Sequence, residues 1–466
     1  MAFNSFSFWL VFPFVFCFYW LIPIRCVRLR KWYLILVSYL LYMNWKPAFA
    51  LVLSGVTFTT YYGALFVERS RNRNVLAGLF ALIALFPLLV FKYYGFLNST
   101  LTDILAFCGL RFELPGLNWA VPVGISFFTF QSVGYLMDVH YRRIEAEHSL
   151  SDYFLFVSFF PQIASGPISK ASELLPQIRH PHPFCRAQSV AGLKLLLWGM
   201  FLKLAVADRL GLYVNEVYAN YEHYSGAVCL LSAFFYAMQI YADFCGYSLM
   251  AVGIGKLLGF DLVNNFRRPY FSVSVTDFWR RWHISLSRWL RDYVYIPLGG
   301  SRCSKARCYW NIFVTFLVSG IWHGANWTFI VWGMMHGAAQ VLEKMLGMQR
   351  CEDKNAFVRS VRMAFTFLLV CVAWVFFRMD TIDDACGFLA HTVGHFSDGL
   401  VLTHQRMSIL ATLPILLFKD FRDEFFPQRL AILRTRLVRR ALYLLLFLLI
   451  IAVGVLDSGQ FIYVNF

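Results

Sequence analysis

Apolar residues in this chain run on for about the length of a bilayer core, pause at short basic connections, and run on again. The runs cover Phe6 to Ile24, Ala48 to Val67, Val75 to Leu97, Trp119 to Met137, Val190 to Ala207, Ala227 to Tyr247, Tyr309 to Leu342, Met363 to Phe377, Met407 to Phe418 and Ala441 to Leu456, with shorter pieces between. A helix needs about 20 residues to cross ~30 Å of hydrocarbon, and these runs are too long for barrel strands. The pattern therefore predicts an all-α polytopic membrane protein with roughly ten to twelve transmembrane helices. No repeat and no Ser/Gly-rich linker divides it, so a single membrane-embedded domain over 1–466 is expected.

Two stretches break the pattern. In "FPQIASGPISKASELLPQIRHPHPFCRA" (160–187), Pro161, Pro167, Pro176, Pro181 and Pro183 forbid one continuous helix. Backbone that irregular survives near a membrane only under protein or water, which predicts a re-entrant or interfacial loop. The second, "TDFWRRWHISLSRWLRDYVYIPLGGSR" (276–302), places Trp279, Trp282, His283, Leu286, Trp289, Leu290 and Tyr293 at helical spacing on one face. Asp277, Arg281, Ser285, Arg288 and Asp292 fall opposite. This predicts one interfacial amphipathic helix ended by Pro297 and Gly299-Gly300. Its arginines Arg280, Arg281, Arg288 and Arg291 suit lipid headgroups or an anionic substrate equally. His283, on the aromatic face, costs free energy unless its nitrogens are paired, so it is either a satisfied structural group or lines a polar cavity.

The run containing His323 lies between Arg302, Lys305 and Arg307 on one side and Lys344, Arg350, Lys354, Arg359 and Arg362 on the other. Basic flanks belong to the cytoplasmic face, so both ends are cytoplasmic and the run is a hairpin. His323 stands sixteen residues beyond Arg307 and twenty-one before Lys344, giving arms of ~24 and ~32 Å at about 1.5 Å per residue. Gly320, Gly324 and Asn326 supply turn chemistry for the tip. An ionisable ring at that depth is a functional candidate by default. His336, inside the returning helix, reads as structural.

Composition sharpens this picture little. Of 466 residues, 59% are hydrophobic and 15% charged, and the mean hydropathy is +0.58. The formal charge of +16 sits mostly in the connections, as the positive-inside rule requires. It points to anionic lipid as the partner and not to nucleic acid. Arg25 to Lys31, Glu68 to Arg73 and Tyr141 to Arg143 agree on one topology, with the amino terminus outward. The first run lacks a basic leader and reads as a retained anchor. The eleven cysteines are scattered, and Cys303 with Cys308 matches no redox or zinc spacing. His391, His395 and His404 lie in one polar outer segment, 380–406, but without grouped carboxylate or cysteine ligands. No metal and no bound cofactor is expected.

"VPVGISFFTFQSVGYLMDVH" (121–140), "FFPQIASGPI" (159–168), "YADFCGYSLMAVGIGKLLGF" (241–260), "NFRRPYFS" (265–272), "DFWRRWHISLSRWLRDYVYIPLGGSR" (277–302), "VSGIWHGANWTFIVWGMMHG" (318–337) and the ending "FIYVNF" occur in an order that resembles the membrane-bound O-acyltransferases. The resemblance is to their bacterial branch concerned with alginate O-acetylation. Two residues depart from that branch: Cys245 stands where serine is usual and Leu249 where aspartate is usual, which weakens any role near Asp243.

The resemblance implies helices, with re-entrant or interfacial pieces, around a central tunnel through a bacterial inner membrane. It implies His323 as the catalytic histidine and His283 as a second functional histidine. A cytoplasmic thioester, acetyl-CoA, donates an acyl group to an acceptor on the outer side, with an extracytoplasmic esterase-like acetyltransferase as partner and a polysaccharide as final acceptor. A thioester needs chiefly a base for the attacking hydroxyl, and His323 suits that role. Trp279, Trp282, Trp322 and Asn326 are candidates to line the tunnel. Asn326, Trp322 or His283 are candidate oxyanion donors. Arg280, Arg281, Arg302, Lys305 and Arg307 are candidates for the donor's phosphates. No G-x-S-x-G elbow is present, so no serine acyl-enzyme is expected. D-alanyl transfer of the teichoic-acid type shares the histidines. A transporter is disfavoured because the apolar runs are nearly free of Asp and Glu.

Overall fold

The structure, a computed structural model, describes residues 3, 5–110, 115–117, 119–180, 182–349, 355–396, 407–426 and 435–455. Among the described residues every regular element is helical. In order these are α1 (Phe6–Leu21), α2 (Val27–Met43), α3 (Phe49–Arg69), α4 (Arg73–Phe107), α5 (Ile125–His140), α6 (Leu150–Ser158), α7 (Ala171–Arg179), α8 (Arg186–Ala219) and α9 (Gly226–Leu257). The short helices α10 (Val275–Arg281) and α11 (Ile284–Leu290) follow. After them come α12 (Lys305–His323), α13 (Trp327–Met345), α14 (Ala356–Arg378), α15 (Ile382–Gly394), α16 (Met407–Phe425) and α17 (Arg436–Val453). The all-α polytopic class is met. Of the ten to twelve spans expected, five stretches among the described residues qualify by length and apolarity alone: α3, α4, α8, α9 and α14. Arg350, Lys354, His404 and the ending "FIYVNF" lie outside the described residues.

Helix α9 is the axis of the fold, buried along nearly all of its length. It packs antiparallel on α8 through paired glycines seven residues apart. A Cβ on Gly192 would stand 2.7 Å from the Gly253 carbonyl oxygen, and one on Gly199 would stand 2.6 Å from that of Gly246. In lipid, where hydrophobicity does not drive helices together, backbone approach of this kind supplies the attraction. Each of α4 and α8 also contains a π-helical stretch, at Leu89–Tyr93 and Phe201–Ala207. A third π turn, Arg291–Tyr295, follows α11. Such insertions occur often at functional sites. The first carries Lys92 and the second Lys203.

The hairpin expected around His323 is present. Helices α12 and α13 cross so closely that a Cβ on Gly320 would lie 2.4 Å from the Phe329 oxygen, and one on Gly333 2.5 Å from that of Phe316. At the open end Lys344 Nζ meets Cys308 Sγ at 2.8 Å, so the arms return to the same level.

The amphipathic segment differs from expectation in two ways. It is not one helix: α10 stops at Arg281 and α11 starts at Ile284, with His283 between them in the left-handed region (φ +42°, ψ +54°). The buried side chain of Asn265 imposes the break. Its backbone oxygen accepts from Ile284 N at 3.0 Å and its Oδ1 from Ser285 N at 3.0 Å, capping α11. Much of the polar face is also spent on partners within the protein. The Ser285 hydroxyl accepts from Ile168 N, Arg288 pairs with Glu173, and Asp292 pairs with Lys170 and Arg291. Burial pushes the Asp292 carboxyl up, but those two cations more than reverse this and hold it below the ordinary carboxylate range. The proline-rich 160–187 stretch, broken as expected into a single turn (Phe160–Ile163), loop and α7, thus covers the segment from one side. Helix α13 grips the other side: Glu343 accepts from the first amides of α10, and His336 Nδ1 accepts from Trp279 Nε1 at 3.2 Å.

Candidate functional site

His323 is the last residue of α12, 3% exposed, at the hairpin tip. Its Nδ1 lies 2.7 Å from the Ser319 carbonyl oxygen. A carbonyl only accepts, so Nδ1 carries the proton and Nε2 is the basic nitrogen of the neutral ring. The ring packs edge-on against Trp322 (4.9 Å between centroids), Trp332 (4.7 Å) and Phe377 (5.5 Å).

The last carbonyls of a helix lack intrahelical partners. Here Lys92 Nζ donates to the oxygens of Trp322 (2.7 Å) and His323 (3.0 Å), and Tyr93 Oη donates to that of Ile321 (2.8 Å). The π turn of α4 therefore presents a cation to the negative end of the α12 dipole, immediately under the candidate base. Reasoning from motifs missed Lys92 and Tyr93. The available signal was the lone lysine inside the apolar run from Val75 to Leu97.

His283 is fully buried, and neither of its ring nitrogens has a hydrogen-bond partner among the described residues. Its walls are Phe244 (4.6 Å), Phe127 (6.2 Å) and Trp322 (6.0 Å). Trp322 thus touches both histidines, and its own Nε1 is likewise unpartnered. Leaving such groups unmet costs about 1–3 kcal/mol each.

The other candidates separate into distinct settings. Trp282 is fully buried against Phe278, Phe266 and Trp374. Trp279 is spent on His336, matching the structural reading of that histidine. Asn326 caps α13 through Thr328 N (3.1 Å) and donates to the Asp380 carbonyl (2.7 Å), so its amide is committed. Arg281 is held by Asp277 and Glu424 (3.0 and 2.8 Å), which removes it from the set of available cations. Arg280, Arg302, Lys305 and Arg307 are exposed. Two expected lipid contacts are also internal: Arg30 donates to the oxygens of Ile22 and His182, and Lys31 pairs with Asp152.

At the tip side lies a cavity of about 600 Å³ lined by Lys92, Asp208, Asn215, Tyr236, Gln239, Asp243, Gly324, Asn326, Phe329, Phe377, Arg378 and Asp380, among others. Phe377 and Gly324 separate it from the imidazole of His323. From there the rings of Phe377, His323, Trp322 and His283 form a continuous chain of contacts. The one carboxylate inside the apolar runs, Asp243, and Asp208 just past the end of another are both buried against Lys203, at 2.6 and 2.7 Å. Among the described residues no three potential metal ligands gather. His391 and His395 stack on each other, and His391 Nε2 contacts the Tyr224 carbonyl.

Residues 4–380 match the family model described as the membrane-bound O-acyltransferase family. The chain is 38% identical over 369 residues to the probable alginate O-acetylase AlgI of Pseudomonas aeruginosa, covering 77% of this chain and 68% of that protein. It is 34% identical over 405 residues to the peptidoglycan O-acetyltransferase of Helicobacter pylori, covering 80% and 75%. To the teichoic acid D-alanyltransferase of Bacillus subtilis it is 27% identical over 271 residues, covering 55% and 68%.

Proposed function

Because the chain belongs to the membrane-bound O-acyltransferase family, and is therefore an acyltransferase, we propose that it moves an acetyl group from a cytoplasmic thioester, acetyl-CoA, toward hydroxyls of an extracytoplasmic polysaccharide. The observation that carries this reading is the tautomer of His323. With Nδ1–H fixed on the Ser319 oxygen, Nε2 is poised to take a proton. The base removes the hydroxyl proton as oxygen attacks the thioester carbon. The carbon–sulfur bond breaks, and the departing thiolate receives the proton from the imidazolium. His283 and Trp322, whose N–H groups are uncommitted, serve as donors to the developing oxyanion.

Arg280, Arg302, Lys305 and Arg307 meet the phosphates of the donor on the cytoplasmic side. The acetyl group passes outward to an esterase-like partner or directly to the glycan. The amino terminus faces outward and the protein resides in a bacterial inner membrane. Acetyl is favoured over D-alanyl as the group transferred, since the relatives named for O-acetylation are the more similar and match more of this chain. The test is His323→Ala in cells, with the O-acetyl content of surface glycan as the readout. General-base loss is worth about 10²- to 10⁴-fold, so acetylation should vanish at normal protein level, and unchanged acetylation would end this reading.

A further inference from the structure

At the basic end of the hairpin, opposite the tip that carries His323, one cysteine stands apart from the others. Cys308 lies one residue before the apolar run Tyr309 to Leu342, and Lys344 two residues after it. The Lys344 ammonium donates to Cys308 Sγ at 2.8 Å, and among the described residues no carboxylate stands within ion-pair distance of that lysine. Tyr295 Oη lies 3.4 Å from the same sulfur. Cys308 closes the first turn of α12, where the helix dipole favours an anion. Among the described cysteines it is the only one with a cation at hydrogen-bond distance. A second thiol borders the same part of α12: Cys303 Sγ is 3.6 Å from Nδ2 of Asn311, three residues beyond Cys308.

A sulfur beside a lysine, in the first turn of a helix, has the setting of a reactive cysteine, because the thiolate and not the thiol is the nucleophile. Burial pushes the Cys308 thiol up, but hydrogen bonds from Lys344 and Tyr295 and the charge of the lysine more than reverse this and hold it below the ordinary thiol range. The Tyr295 phenol is itself raised, by burial and by that sulfur, so it remains a donor. Exposure limits the reagent. Cys308 is 5% exposed and its two donors are half-buried side chains, so the sulfur admits an attacker little larger than water and excludes a bulky acyl thioester. We propose that Cys308 is a site of oxidation by hydrogen peroxide, which converts its sulfur to sulfenic acid with Lys344 as the proton donor. The sulfur attacks one peroxide oxygen, the oxygen–oxygen bond breaks, and the sulfur takes up the hydroxyl. The sulfur gives up an electron pair and is oxidised, the peroxide is reduced, and the departing hydroxide takes a proton from the Lys344 ammonium and leaves as water. The site lies at the far end of α12 from His323 and does not rest on the acyl-transfer reading.

The full chain in lipid nanodiscs is treated with hydrogen peroxide in the presence of dimedone, which traps sulfenic acid, and each cysteine is followed by peptide mass spectrometry. Cys308 should be labelled about tenfold or more faster than the exposed Cys26, Cys185 and Cys386 of the same molecules. Its rate should stay level between about pH 7 and pH 8, whereas thiols of ordinary pKa, about 8.5, gain several-fold over that interval. Lys344→Leu should slow labelling at Cys308 by about tenfold or more and restore the rise with pH. The comparison among cysteines of the native chain needs no variant, so it decides the matter even where Lys344→Leu fails to fold. Capture of the sulfenic acid by the Cys303 thiol, with loss of water, replaces the dimedone adduct by a Cys303–Cys308 disulfide and counts equally as oxidation at Cys308. Labelling at Cys308 no faster than at the exposed cysteines overturns the proposal, as does a rate in folded Lys344→Leu equal to that of the native chain.

Discussion

At the scale of single residues, His283 joins backbone and chemistry in one position. A left-handed conformation in a non-glycine residue costs about 1–2 kcal/mol, and asparagine is among the few residues that tolerate it. His283→Asn should therefore retain protein level yet lose most acetyl transfer, whereas His283→Ile should lose protein as well, a contrast visible by immunoblot beside the acetylation assay. The sequence showed that His283 sits on an aromatic face; it did not show the break. Apolar spacing continues across positions 282 to 286 as though the helix were unbroken, and the stop comes from Asn265, which lies in a separate segment. Phe377 makes a second residue-scale argument, because its ring separates the cavity from the His323 imidazole. A smaller side chain opens that route to water, the competing nucleophile. Phe377→Leu should raise acceptor-independent hydrolysis of acetyl-CoA, measurable as free thiol released by purified protein.

At the scale of elements, the hairpin α12–α13 was legible because its signals are local: basic flanks, an apolar run on either side of the tip, and glycine with asparagine at the tip. What holds the tip was less legible, since it comes from the π turn of α4, more than two hundred residues earlier in the chain. That extra residue in the helical turn reorients Lys92 onto the end of α12. Replacing it with methionine, of similar length, leaves the carbonyls of Trp322 and His323 without their charged donor. Hydrogen bonds to charged groups are worth about 1.5–3 kcal/mol. Lys92→Met should lower thermal stability accordingly and cut turnover, because it removes the support under His323.

At the scale of the whole molecule, α8 and α9 form a spine whose position decides where the cavity lies relative to the hairpin tip. Glycine pairs set the distance between these helices, and the Lys203–Asp208–Asp243 cluster sets their register. The charges could be read from the sequence only one at a time; their pairing depends on the π turn at Phe201–Ala207, which turns Lys203 inward toward α9. This also answers the argument from intramembrane carboxylates, since both pair with the same lysine and form a structural junction. A buried ion cluster is costly to break and cheap to remove whole: taking away one partner costs about 3–5 kcal/mol, whereas apolar or neutral replacement of every member is often tolerated. Lys203→Met should therefore yield little folded protein, and the triple change Lys203→Met with Asp208→Asn and Asp243→Asn should restore it in thermal-unfolding measurements. If the cluster instead carried a proton or an ion during the reaction, the restored triple variant would fold but fail to transfer acetyl. Full recovery of both properties is the outcome expected of a junction, because the glycine contacts at Gly192, Gly199, Gly246 and Gly253 still hold the two helices at their original separation.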